Sequence, residues 1–176
     1  MSKSQVFYIH GFASSPKSAT LKMLQKEFPS AIGLTYDHTD PAGSISGMMA
    51  LLQGYAEQDI IIVGSSLGGW YTEQLTRHIV AQFILYNPAI EPEVSLAKYS
   101  LSQEVLYRYK SLQLPLVPAS RTVIISIDDA VISPTRTDNR YKNIADMSYT
   151  AGGHRMTEEA MSIIVSKIKF LENQLT

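Results

Sequence analysis

The sequence predicts an α/β fold: one domain built on a mainly parallel sheet of about six strands, with helices on both faces. Short runs rich in Val, Ile, Tyr and Phe recur along the chain without polar alternation, as strands covered on both sides do. Segments with apolar residues at helical spacing lie between these runs, the order that βαβ units impose. At 176 residues the chain can bury one substantial core and is too short for two ordinary domains, so residues 1–176 read as a single unit.

The first run is Val6–Ile9. In "SPKSATLKMLQKEF", Ser15 is a candidate N-cap with Pro16 at the first helical position, and Leu21, Leu24 and Phe28 share one face. A strand is expected over Ile32–Tyr36, then a helix over "SISGMMALLQGYAEQ" through Ile45, Met48, Met49 and Leu52, weakened by Gly47 and Gly54. Ile60–Val63 is the next strand and turns at once, through "GSSLGG", into a helix whose Trp70 is expected to pack rather than meet a ligand. Phe83–Tyr86, Val123–Ile127 and Met147–Thr150 complete the strands. The last helix has Thr157 as cap, Glu158 and Glu159 to complement the dipole, and a stripe of Ile163, Ile164, Ile168 and Leu171.

Residues 88–120 break the rhythm. They carry Pro88, Pro92, Pro115 and Pro118, together with Tyr99, Tyr107 and Tyr109, around a middle part of helical period. The segment is too long for an ordinary connection and is expected to be a lid over a site, a crossover helix with ragged ends being the alternative.

Charge and composition narrow the function classes. A net charge of −1, with no basic cluster, removes the electrostatic term on which nucleic-acid binding rests, and no Lys/Arg-rich amphipathic stretch suits a membrane surface. There is no cysteine, hence no disulfide, thiolate metal site or Cys nucleophile. The apolar run before His10 is too short for a signal-peptide core, and no run approaches the roughly 18 apolar residues of a membrane span. A cytoplasmic protein, monomeric or weakly self-associating, is the expectation. Histidines at 10, 38, 78 and 154 have no metal-ligand spacing, so neither metal nor organic cofactor is expected.

The chemistry is concentrated after the third strand. Gly64-Ser65-Ser66-Leu67-Gly68 is G-x-S-x-G between strand and helix, the context of a nucleophile elbow, where only glycine fits the flanks and the central Ser66 is held out. Neither the dinucleotide fingerprint G-x-G-x-x-G nor a P-loop spacing is present. Ser65, one position off centre, is the weaker nucleophile candidate. A serine needs a base, and the base an orienting carboxylate, in the order Ser, Asp or Glu, His. "TVIISIDDAV" supplies Asp129, with Asp128 as the alternative, at a strand end, and "SYTAGGHRMTEE" supplies His154. An oxyanion hole requires two backbone N–H groups: Leu67 offers one, and Phe12, in "YIHGFASSP", the other, with Gly11 allowing close approach. Candidate substrate contacts are His10, Tyr36, Tyr99 and Tyr107, with His10 also read as a structural hydrogen-bonding residue.

Together, His10-Gly11-Phe12 with Ser14-Ser15-Pro16, Gly64-Ser65-Ser66-Leu67-Gly68-Gly69, Asn87-Pro88-Ala89, Asp129-Ala130-Val131 and Gly152-Gly153-His154 resemble the small bacterial esterases of the YqiA type, within the α/β-hydrolase superfamily. The resemblance spans nearly the whole chain. It implies a compact α/β-hydrolase fold lacking the two N-terminal strands of the full superfamily, and carboxylic-ester hydrolysis by Ser66, Asp129 and His154. The expected substrate is a small, short-chain acyl ester cleaved through an acyl-enzyme. The rival readings are acyl transfer or thioester hydrolysis by the same triad, and a hydrolase-fold protein that binds a ligand without turnover.

Overall fold

Strands of alternating inward residues organise the computed structural model, which describes residues 4–174. β1 (Gln5–Ile9), β2 (Ile32–Leu34), β3 (Ile60–Ser65), β4 (Gln82–Tyr86), β5 (Arg121–Ser126) and β6 (Asp146–Thr150) form one sheet in the order β2-β1-β3-β4-β5-β6. Every pairing is parallel. The helices are α1 (Ala19–Glu27), α2 (Pro41–Gln53), α3 (Leu67–Leu75), α4 (Pro92–Ser95), α5 (Gln103–Ser111), α6 (Pro134–Tyr141) and α7 (Glu158–Gln174), with a 3₁₀ turn at Ala97–Tyr99.

Side chains alternate across a strand, so each run feeds two cores. Phe7, Ile9, Ile60, Ile62, Phe83, Leu85, Val123 and Ile125 face α2, α3, α5 and α6. Val6, Tyr8, Ile61, Val63, Ile84, Tyr86 and Ile124 face α1 and α7. Runs apolar throughout are thus explained by helices on both sides. In α7 the spacing of Ala160, Ile164, Ile168 and Leu171 puts four buried side chains in one line, each large one contributing about 1.5–3 kcal/mol. Thr157 accepts the Ala160 N–H at its start, as expected of its cap.

A buried ion pair ties the two layers. Glu73 on α3 meets Arg121 at the start of β5 at 2.8 Å, and the two residues are only 3% and 4% exposed. Burial pushes the Glu73 carboxyl up, while Arg121 pulls it back.

Some element boundaries differ from expectation. α1 is capped by Ser18, which accepts the Leu21 N–H, rather than by Ser15. Residues 15–18 instead form a turn, Ser18 N–H donating to the Ser15 carbonyl at 3.1 Å, and the Pro16 carbonyl packs so closely on Gly33 that no Cβ fits there. β2 ends at Leu34, two residues short of Tyr36, and α2 begins at Pro41, where Asp40 caps it by accepting from Gly43. β5 ends at Ser126, and Ile127 is exposed. Among the described residues no helix is long and apolar enough to cross a membrane.

The chain runs from β1 to the edge strand β2, then crosses back to β3 on the other side of β1. Helices therefore diverge between β1 and β3, and a crevice opens at the carboxyl ends of these strands. The loops after β1, β3, β5 and β6 converge there.

Candidate active site

Ser66 sits at the junction of β3 and α3 with φ 53° and ψ −121°, a conformation that side chains rarely adopt. The surroundings hold it: Ser66 N–H donates to the Tyr86 carbonyl at 3.0 Å, and the Ser66 carbonyl accepts from Gly69 and Ala89, both at 2.9 Å. Glycine is required next to it because strand and helix nearly touch. A Cβ on Gly68 would collide with the carbonyls of Ile9 and His10, and one on Gly64 with Thr72 Oγ1 and the Gly68 carbonyl. Backbone cannot yield as a flexible side chain does. Gly68→Ala is therefore expected to lower the free energy of unfolding by about 1–3 kcal/mol, read as a reduced urea midpoint at unchanged m-value.

His154 lies between Ser66 and Asp129. Its Nε2 is 2.8 Å from Ser66 Oγ, and its Nδ1 is 2.7 Å from Asp129 Oδ2. An ionised carboxylate only accepts, so Nδ1 carries the proton and Nε2 is left to accept from the serine hydroxyl. The other Asp129 oxygen accepts the N–H groups of Val131 at 2.7 Å and Ile132 at 3.0 Å. Burial alone would push this carboxyl up, but the bonds from His154, Ile132 and Val131 outweigh it and hold the group below the usual carboxylate range. Asp129 thus stays ionised and aimed.

Asp128, the alternative acid, points elsewhere. It accepts the Gly152 and Gly153 N–H groups at 3.0 and 2.9 Å and the Ser126 hydroxyl at 2.7 Å, and these donors lower its pKa to about 2. Gly152 has φ +112°, which favours glycine, and the double glycine lets both N–H groups turn onto one carboxylate. The Asp-Asp pair divides its work, one carboxylate orienting the imidazole and the other holding its loop.

Ser65 is also accounted for. Its hydroxyl is 2.9 Å from Tyr8 OH, so it is engaged on the α1 side of the elbow and away from His154.

The loop after β1 supplies the opposite wall. Gly11 approaches so closely that a Cβ there would stand 3.2 Å from Ser66 Cβ. Phe12 and Leu67 both line a cavity of about 630 Å³ around Ser66 and His154, within the range of small-molecule sites. Leu67 is the first residue of α3, where helix geometry leaves the N–H without an intrahelical acceptor.

Of the substrate contacts expected from sequence, Tyr99 lies on the cavity wall, its ring 4.8 Å from that of Phe12. His10, Tyr36 and Tyr107 do not. His10 is buried, donates through Nδ1 to the Gly11 carbonyl at 2.9 Å, and stacks on Tyr36 at 4.5 Å. Tyr36 OH donates to the His10 carbonyl at 3.1 Å. The two rings are spent on bracing the loop that carries Phe12, and burial lowers the His10 pKa so that its ring stays neutral. Tyr107 is 68% exposed, on the outer face of α5. Tyr109 is fully buried between Tyr71 OH, 3.1 Å away, and the His38 carbonyl, 3.0 Å away. Trp70 is buried in the core, as expected.

Sequence reasoning missed the role of Asn87. In left-handed backbone (φ 42°) after β4, it accepts the Ser126 N–H at 2.8 Å and donates to the Gly153 carbonyl at 3.2 Å. It links the acid loop to the histidine loop. The one available signal was an Asn at a strand end before Pro, a residue that tolerates positive φ.

The comparisons agree with this architecture. Residues 5–171 match the Uncharacterised protein family (UPF0227). A UPF0227 protein of Vibrio vulnificus (strain CMCP6) is 24% identical over 151 residues, covering 78% of this chain and 82% of that protein. Among solved structures, mouse alpha/beta hydrolase domain-containing protein 10 superposes with a TM-score of 0.83 at 16% identity, covering 100% of this chain and 92% of that one. The metagenome-derived lipolytic enzymes LipS and LipT are represented at TM-score 0.75 and 17% identity, over 98% of this chain and 94% of that one. Est1E from Butyrivibrio proteoclasticus gives TM-score 0.73 at 14% identity, over 99% of this chain and 90% of that one. With nearly its whole length matched, as its likeness to the YqiA type implied, the chain belongs to the UPF0227 family and has the α/β-hydrolase fold.

Proposed function

We propose that the protein is a serine hydrolase that cleaves small carboxylic esters through an acyl-enzyme. The observation that carries the reading is the relay through one imidazole, with Ser66 Oγ at 2.8 Å on one nitrogen and Asp129 Oδ2 at 2.7 Å on the other, beside a cavity. Ester chemistry is further supported by fold likeness to lipolytic enzymes and to Est1E, the latter also solved with ferulic acid bound.

In this mechanism His154 Nε2 takes the Ser66 proton as Oγ attacks the ester carbonyl. Asp129 stabilises the imidazolium and keeps Nδ1 protonated. The Phe12 and Leu67 N–H groups receive the negative oxygen of the tetrahedral intermediate. His154 then gives its proton to the leaving alcohol, and water repeats the steps on the acyl-Ser66. The cavity volume suits a short acyl chain.

Residues 88–120 serve as the lid in this reading, divided by its anchors. Ser95, Leu96 and Tyr99 reach the cavity, whereas Tyr109 holds α5 in the core. Substrate access is therefore controlled by α4 and the 3₁₀ turn.

The test is labelling by a fluorophosphonate, which reacts only with an activated serine, followed by peptide mass spectrometry, with p-nitrophenyl butyrate turnover in parallel. Modification at Ser66 and turnover blocked by the label are expected. A protein that is neither labelled nor active would overturn the proposal.

A further inference from the structure

The cavity wall is chemically uneven in a way that the relay does not require. On the side of α1 and α7 the wall carries the hydroxyls of Tyr8, Ser18, Thr20 and Ser65, with Met156 beside them. Opposite them stand Phe12, Leu96 and Ile132, which belong to or pack against the other core, together with the exposed Tyr99 and Val131 and the one hydroxyl of Ser95. Arg155 is the only Lys, Arg, Asp or Glu among the residues lining the cavity. It is exposed, and no ion pair of the described residues involves it. Its backbone is nonetheless fixed, because the Arg155 carbonyl accepts the Tyr86 hydroxyl at 3.1 Å.

A single cation at the mouth of a site lined by no carboxylate sets the sign of what the site prefers. The protein as a whole carries a net charge of −1, so the preference is local and not a property of the surface at large. The direction of binding follows from the chemistry. His154 must hand its proton to the leaving oxygen, so the alcohol part of the ester lies toward His154, and Arg155 is the next residue along the chain. The acyl part then falls on the apolar lid side.

We propose, resting on the serine-hydrolase reading, that the substrate is an ester with an apolar acyl group and an anionic alcohol part, and that Arg155 is the specificity residue that binds the anion. Guanidinium pairs with carboxylate or phosphate by two parallel hydrogen bonds, which lysine cannot reproduce.

The experiment compares 4-butyryloxybenzoate with its neutral methyl ester, on wild type, Arg155→Ala and Arg155→Lys. The wild type is expected to favour the anionic ester in kcat/KM. Arg155→Ala should reduce that preference about 10-fold through KM, with Arg155→Lys in between. Mono-p-nitrophenyl glutarate, with its charge on the acyl side, should show no such dependence on Arg155. If both benzoate esters are turned over with a ratio that Arg155→Ala leaves unchanged, the specificity proposal is wrong and the hydrolase reading stands. A dependence seen only with the glutarate would place the anion on the acyl side and overturn the proposal as stated. A protein that turns over neither ester yet is labelled at Ser66 by the fluorophosphonate would overturn this proposal alone, and one that is neither labelled nor active would overturn the hydrolase reading and this proposal with it.

Discussion

Ser66→Ala is expected to lower kcat for p-nitrophenyl butyrate by about 10⁶-fold, since removal of a triad nucleophile leaves only binding and oxyanion stabilisation. The fold should survive, since alanine keeps the Cβ and loses only the hydroxyl contact with His154. Asp129→Asn should cost about 10⁴-fold, because an amide at this position can present N–H to Nδ1 and fix the wrong tautomer. Asp128→Asn separates the two neighbours. It removes charge from the carboxylate that holds Gly152 and Gly153, so it should loosen the histidine loop and reduce kcat far less than Asp129→Asn. Steady-state kinetics of the three variants, each checked by circular dichroism, decide the matter. If Asp128→Asn proves the more damaging of the two, the assignment of Asp129 as the orienting acid is wrong.

Glu73→Ala should produce the largest loss of stability. Arg121 would remain 96% buried without its partner, in a region that already holds Arg77 and Arg140 close enough to influence one another. Removing one member of a buried pair costs about 3–5 kcal/mol, much of it the uncompensated charge. Chemical denaturation should report that loss. The double variant Glu73→Leu with Arg121→Met should recover most of it, because an apolar pair of similar volume carries no desolvation penalty. Were the single and double variants equally unstable, packing around α3 and not charge would be what the pair provides. Glu73 lies two turns along α3 from Ser66, near the other end of the helix, so a variant that folds should keep its labelling by fluorophosphonate.

The proposed relay was legible in the sequence because each member follows a strand and the local chain dictates its setting. G-x-S-x-G needs only its own neighbours to make an elbow, and parallel strands bring all their carboxyl ends to one edge. The supporting residues were not legible for the complementary reason. His10 and Tyr36 are 26 positions apart and meet only because β1 and β2 are adjacent, and Tyr109 finds Tyr71 and His38 across the fold. Their aromatic character suggested ligand contact, yet the core had already claimed them. The cap of α1 failed on a similar point. Ser15 and Ser18 are alike in type, and the turn that Ser18 N–H closes on the Ser15 carbonyl puts the start of the helix at the second. Asp128 and Asp129 are indistinguishable by type, and only the positions of Gly152, Gly153 and His154 give each its task.

The relay is distributed over three strand ends, with Ser66 after β3, Asp129 after β5 and His154 after β6. A polypeptide emerging from the ribosome therefore carries its serine long before it carries its base. On the proposed reading, Ser66 stays an ordinary hydroxyl until the sixth strand has docked on the fifth, so an unfinished chain would have no activated serine. Reactivity toward a serine-directed probe would then double as a timer for synthesis, switching on only when the last strand of the sheet is in register.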